Sequence, residues 1–151
     1  MLTTTSKYAL RALVKLAQIP ESQMLSGREL SAQCRIPANY LSKLMLTLRN
    51  AGFVDAVRGS SGGYKLSQPA HGIHIIDVVD LFEGINSDPE CLLGEDHECT
   101  DDLACSAHFQ YRAVRLAYID FLRKTTIASI SKKKRTKKIK GSELPSEHAL
   151  L

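Results

Sequence analysis

The chain has 151 residues, 44% of them hydrophobic and 24% charged, a balance that suits one packed domain, or a small domain with an oligomerisation element, and excludes a disordered chain. No apolar run approaches the ~20 residues of a membrane span, and residues 1–7 hold no signal-peptide core, so a soluble cytoplasmic protein is expected. The net charge of +4 is divided: residues 1–70 carry nine Lys/Arg against three acids, residues 71–131 four against eleven, and 132–140 add seven positives, so a polyanion partner is expected for the front half alone.

In residues 4–18, Lys7, Arg11, Lys15 and Gln18 share one stripe, with Ala9, Leu10, Leu13, Leu16 and Ala17 on a buried face. That is a helix, and Pro20 stops it. Ser26-Gly27-Arg28-Glu29 is a capping box for a short helix carrying Leu30. Pro37 fits the first position of another helix, where Leu41, Leu44, Met45 and Leu48 recur at i, i+3, i+4 and i+7 before Gly52 closes it. Two helices so closely joined form a helix-turn-helix.

Residues 53–57 and 64–66 read as short strands around the turn Arg58-Gly59-Ser60-Ser61-Gly62-Gly63. No GK[ST] and no helix follows these glycines, which argues against a nucleotide loop. A hairpin directly after a helix-turn-helix is a wing, whose Arg58 and backbone amides reach DNA phosphates or the minor groove. The expected DNA surface is therefore Lys7, Arg28, Asn39, Tyr40, Ser42, Lys43, Arg49, Arg58, Ser60, Ser61, Gly62, Gly63 and Tyr64. Asn39, Ser42 and Lys43 stand where a recognition helix meets base edges, Lys43 and Arg49 also suit phosphates, and Tyr40 also suits packing under the wing.

A further helix is expected over 74–83, closed by Gly84, then a loop over 85–106 and a long helix over 107–124. The long helix has few polar positions (Arg112, Arg115, Asp120, Arg123), while Phe109, Val114, Leu116, Tyr118, Ile119, Phe121 and Leu122 cover most of its circumference. A core this small gives too little cover for such a helix, which predicts a twofold partner and hence a homodimer. From Ile130 onward dense charge predicts a disordered tail. The expected organisation is a DNA-binding domain over 1–70, a loop and dimerisation helix over 71–130, and a basic tail over 131–151.

Cys91, Cys99, Cys105 and His108 have the spacing C-x7-C-x5-C-x2-H, among or beside seven carboxylates (Asp88, Glu90, Glu95, Asp96, Glu98, Asp101, Asp102). A loop this polar is no core segment, so its cysteines do not serve packing. Without an export signal a reduced compartment favours metal binding over disulfides. Thiolates and an imidazole suit iron–sulfur clusters and zinc, although the short C-x2–4-C knuckle of many zinc sites is missing. Bare thiols acting as a redox sensor are a third chemistry, opposed by surroundings too acidic to lower a thiol pKa. Cys34, in the helix-turn-helix, reads as a small buried apolar residue. His71, His74, His97 and His148 have no partner at ligand spacing.

The chain resembles the Rrf2-type winged-helix transcription regulators of bacteria. The resemblance rests on Thr4-Thr5-Ser6-Lys7-Tyr8-Ala9-Leu10-Arg11-Ala12-Leu13, on Ile36-Pro37-Ala38-Asn39-Tyr40-Leu41, and on Leu48-Arg49-Asn50-Ala51-Gly52-Phe53-Val54. The wing Val57-Arg58-Gly59-Ser60-Ser61-Gly62-Gly63-Tyr64-Lys65-Leu66, followed by three cysteines, carries it further, to about residue 130. It implies a homodimer on palindromic promoter DNA, with an iron–sulfur cluster adjusting the binding, as in many members. The family's three cysteines map onto Cys91, Cys99 and Cys105. Cluster-assembly regulators of the family have a histidine three residues after the third cysteine, where this chain has His108. Others take a ligand from an acid near the partner's N-terminus, whereas this chain has Tyr8 and no acid before Glu21. One departure is the seven-residue gap between Cys91 and Cys99, where the best-known members have five.

With the resemblance, the leading expectation is a [2Fe–2S] centre held by one subunit and reporting redox, iron–sulfur or nitric oxide status. Structural zinc or a bare-thiol sensor are the alternatives on the same DNA-binding frame. A cluster-bearing redox protein is the rival from another class. It lacks a second cofactor motif and any acid/base pair in an apolar setting, so no enzyme is expected.

Overall fold

The computed structural model describes residues 2–86, 92–93 and 100–132. Its elements are α1 (Thr4–Leu16), α2 (Gly27–Cys34), α3 (Ala38–Asn50), β1 (Val54–Val57), β2 (Gly63–Leu66), a 3-10 turn (Ala70–Gly72), α4 (Ile75–Glu83), α5 (His108–Lys124) and α6 (Ile127–Ser131). The protein is mainly α with one antiparallel hairpin as the wing, as the pattern predicts. No helix of the described residues is long and apolar enough to cross a membrane.

Local chemistry explains most boundaries. Thr3 caps α1, its Oγ1 accepting from the Ser6 amide at 3.3 Å. The capping box of α2 forms as expected: the Glu29 amide donates to Ser26 Oγ at 3.2 Å, and the Ser26 amide donates to Glu29 Oε2 at 2.8 Å. These Ser26 bonds hold the Glu29 carboxyl below its usual range. Pro37 is the N-cap of α3 rather than its first residue. Gly52, at φ 79°, follows α3 as expected. Helix α1 ends at Leu16, two residues before the expected end at 18.

Three connections go beyond the sequence pattern. Leu25 pairs with the wing, its amide donating to Tyr64 O at 3.1 Å and the Tyr64 amide donating to Leu25 O at 2.8 Å. A Cβ on Gly63 would lie 2.5 Å from the Leu25 oxygen, so this close approach requires glycine. His74, without a ligand partner in the sequence pattern, has its Nδ1 2.7 Å from the Arg123 oxygen. Finally, the expected tail from 130–131 begins too early. Helix α6 occupies Ile127–Ser131, capped by Thr126, with Ile127 fully buried. The Ile127 amide donates to Ile73 O, and the Ile75 amide to Thr125 O, both at 2.9 Å. A five-residue helix is too short to show a period, which is why the pattern misses it. Residues 133–151, most of the expected basic tail and including His148, lie outside the described residues, as does His97.

The core gathers Ala9, Ala12 and Leu13 of α1, Leu30, Met45, Leu48, Val78, Val79, Leu122 and Ile127, all fully buried. At the start of α1, Glu83 Oε1 accepts from the Thr3 amide at 2.8 Å and from Thr3 Oγ1 at 2.9 Å. Burial pushes the Glu83 pKa up, but the bonds from Ser6 and Thr3 outweigh it and hold the carboxyl below its ordinary value. A depressed carboxylate stabilises the fold above its unfolded pKa and loses that contribution as pH falls through the folded one. Glu83→Gln should therefore lower the melting temperature near pH 7. Melts at decreasing pH should show the gap to wild type closing below about 4.5, the ordinary value of the group.

Candidate nucleic-acid interface and sensor site

Helix α3 buries Leu41, Leu44, Met45 and Leu48 and leaves Asn39, Ser42, Lys43, Leu46 and Arg49 exposed. A groove of about 690 Å³ separates this face from the wing, and Ser42, Arg49, Arg58, Gly62, Gly63 and Tyr64 line it together. Six expected DNA contacts thus converge. At Gly62 a Cβ would sit 2.1 Å from the Val57 oxygen, so only glycine closes this turn. Lys7, Arg28, Asn39, Lys43, Ser60 and Ser61 are exposed but do not line the groove. Two local bonds shape the start of α3: Ser42 Oγ donates to Ala38 O at 3.0 Å, and Asn39 Oδ1 accepts from the Tyr40 amide at 2.9 Å.

Tyr40 is not under the wing. Its ring meets Tyr8 edge-on at 5.5 Å, its hydroxyl hydrogen-bonds Thr5 Oγ1, and the Arg11 guanidinium lies 4.7 Å over the Tyr8 ring. Tyr40 therefore ties the start of the recognition helix to α1. Tyr64 faces inward from the wing, its ring 3.6 Å from where a Cβ on Gly27 would be. Leu46 and Val57, outside the expected DNA surface, line the same groove and are 55% and 52% exposed. A signal for Leu46 existed: it falls off the Leu41/Leu44/Met45/Leu48 stripe, onto the polar side.

Two of the candidate ligands, Cys105 and His108, sit at the start of α5. Cys105 is half-buried, and its carbonyl accepts from the His108 amide at 3.1 Å. The His108 Nε2 lies 2.9 Å from Asp101 Oδ1, and Arg112 pairs with the same oxygen. The Arg112 guanidinium, with His108 second, holds the Asp101 carboxyl below the usual range. These groups share a cavity of about 310 Å³ with Thr100 and Leu116. Arg115 donates from α5 to the Ile85 carbonyl at 2.8 Å, just past the end of α4.

Cys91 and Cys99 lie outside the described residues. Among the described residues no group of three or more His, Cys, Asp or Glu is placed to hold a metal ion. Cys105 and His108 nonetheless fit one, since an imidazole backed by a carboxylate is how proteins fix the tautomer of a ligating histidine. Cys34 behaves as the sequence predicts. It is buried with Sγ 3.7 Å from Arg11 O, and burial pushes its thiol up against the pull of Arg11 and Lys15.

Among the described residues helix α5 is covered on one side only. Leu122 is its one fully buried residue, while Phe109, Val114, Leu116 and Phe121 are 54% to 68% exposed. The Tyr118 hydroxyl is buried without a hydrogen-bond partner among the described residues.

A family model described as Rrf2, iron-dependent transcriptional regulator, matches residues 2–133. The fold is similar to that of CymR (YrzC), the global cysteine regulator of B. subtilis, with a TM-score of 0.71 and 25% identity over 87% of this chain and 95% of that one. Staphylococcus aureus CymR in an oxidized form is 28% identical with a TM-score of 0.72, covering 90% of this chain and 99% of the other. T. potens IscR has a TM-score of 0.68 over 86% of this chain and 85% of that one, and at 23% identity the likeness concerns the fold alone.

Proposed function

With residues 2–133 matched, the chain belongs to the Rrf2 family of transcriptional regulators, and we propose that it binds promoter DNA as a homodimer whose affinity is set by an iron–sulfur cluster. The observation that carries the DNA half is the groove where Ser42 and Arg49 of α3 face Arg58, Gly62 and Gly63 of the wing. Helix α3 enters the major groove, which is wide enough for a helix. Asn39, Ser42 and Lys43 meet base edges, and Tyr40 holds the helix start in place. Arg49, Arg58, Lys7 and Arg28 neutralise phosphates, and the backbone at Ser60, Ser61, Gly62 and Gly63 adds amide contacts. Tyr64 braces the wing from inside.

Cys91, Cys99, Cys105 and His108 are the ligands of the proposed [2Fe–2S] centre. Such a cluster supplies one-electron redox chemistry and reactivity toward oxidants and nitric oxide. On the protein side, Asp101 and Arg112 orient His108, and Arg115 links α5 to the chain just past α4. Rearrangement of the loop therefore reaches α4, and through the Glu83–Thr3 contact reaches α1 and the helix-turn-helix. The exposed apolar side of α5 supports the homodimer, because a second copy supplies the cover this protomer lacks.

A thiol-based switch is the second reading, favoured by the likeness to a cysteine regulator and to an oxidized form of CymR. Anaerobic purification with iron and acid-labile sulfide assays separates the two. Both should be present in stoichiometric amount. Zinc without sulfide after attempted reconstitution overturns the cluster, and metal-free protein that oxidises reversibly supports the thiol switch.

Titrating promoter DNA at several salt concentrations tests the DNA half. Arg58→Ala should weaken binding in every cluster state and flatten the log K against log salt slope by about one. Cys99→Ala should shift affinity without abolishing it. Identical curves for holo protein, apo protein and Cys99→Ala leave a DNA-binding protein and remove the sensor. The interface has its own test: Leu116→Asp puts an unpaired charge in an apolar contact and should abolish dimerisation. Sedimentation of wild-type protein as a monomer at tens of micromolar would defeat it.

A further inference from the structure

We infer that Leu46 determines operator specificity by packing against the methyl group of a thymine in the major groove; this rests on the DNA reading above. The argument starts from where Leu46 stands. It is three residues after Lys43, four after Ser42 and three before Arg49, so all four share one side of α3. That side is opposite Leu41, Leu44, Met45 and Leu48, each 3% exposed or less, whereas Leu46 is 55% exposed. It also lines the groove that contains Arg49 and Arg58.

A large aliphatic side chain held in water among DNA-facing polar groups adds nothing to phosphate binding. Hydrogen-bonding base edges offer it no partner either. The apolar feature of a major-groove edge is the C5 methyl of thymine, and packing against it removes both groups from water. Val57, 52% exposed on the wing side of the same groove, adds a second apolar wall. The neighbours of Leu46 favour DNA over a protein partner as its target, since the cations Arg49 and Arg58 flank it and no acid lines the groove. The division of labour is then plain: Arg49 and Arg58 supply affinity that ignores sequence, and Leu46 adds a preference for thymine at one position.

The test uses the full chain and duplexes it selects from a random 30-base-pair pool. Each thymine of the selected site is replaced in turn by deoxyuridine, which removes only the methyl group. Wild-type protein should lose about fourfold in affinity at one thymine per half-site, the worth of one buried methyl. Leu46→Ala, which removes the contact from both half-sites of the dimer, should bind the unmodified duplex as weakly as wild type binds the duplex with both of those thymines replaced, and should be indifferent to the replacement. Leu46 is exposed, so the variant should melt like wild type, and Leu46→Met, which keeps an apolar tip, should retain the thymine preference. Selective binding with no thymine of this behaviour, or with the same loss in Leu46→Ala, overturns the inference and leaves the DNA reading standing. Wild-type affinity of Leu46→Ala on every duplex has the same consequence and points to a protein partner at this patch. Failure to select any duplex overturns the DNA reading and this inference with it.

Discussion

Helix α1 buries the centre of its apolar face, with Ala9, Ala12 and Leu13 fully covered and Leu16 only 3% exposed. Helices α2, α3, α4 and α6 all pack on it. The small side chains of Ala9 and Ala12 let these neighbours approach closely, and Leu13 fills the space between. Truncating one buried leucine typically costs about 2–5 kcal/mol, against a total stability of about 5–15 kcal/mol. The orientation of α3 is therefore inseparable from α1, and so from α4, which packs on it too.

Two contacts at the start of α1 suit that role. Near its start, Glu83 closes α4 onto Thr3, and Tyr40 leans on Tyr8 and Thr5. Both pairs join the start of α1 to something else: the first to the helix that precedes the cysteine loop, the second to the proposed recognition helix. A shift of one is felt by the other over a short, packed path rather than across solvent. Charge keeps the two proposed functions apart, since the cations of residues 1–70 attract a duplex and the acids of 71–131 repel it.

Helices α1 to α5 and the wing are legible from the chain because each shows a period or a turn signal, and α2 declares itself through Ser26 and Glu29. Among the candidate DNA contacts, the exposed side of α3 is legible by subtraction from its leucine stripe, whereas Leu46 is not, because an apolar residue reads first as core. The position of Tyr40 was not legible, since its ring contact is with Tyr8, 32 positions earlier, and any nearby apolar surface satisfies the same ring. Asp101 is one of seven carboxylates in and beside the cysteine loop, and nothing in the spacing marks it as a partner of His108.

The sequence by itself determined the element types, the division of charge, the burial of Cys34 and the set of candidate ligands. Those follow from periodicity, capping chemistry and residue type, which act over a few neighbouring positions. Only the tertiary structure decided that Leu25 joins the wing, that α6 exists and anchors Ile127, and that Ser42, Arg49 and Arg58 share a groove with Leu46. It also left one side of α5 uncovered. These outcomes depend on how the whole core packs, because each joins or exposes residues whose local sequence is equally content elsewhere.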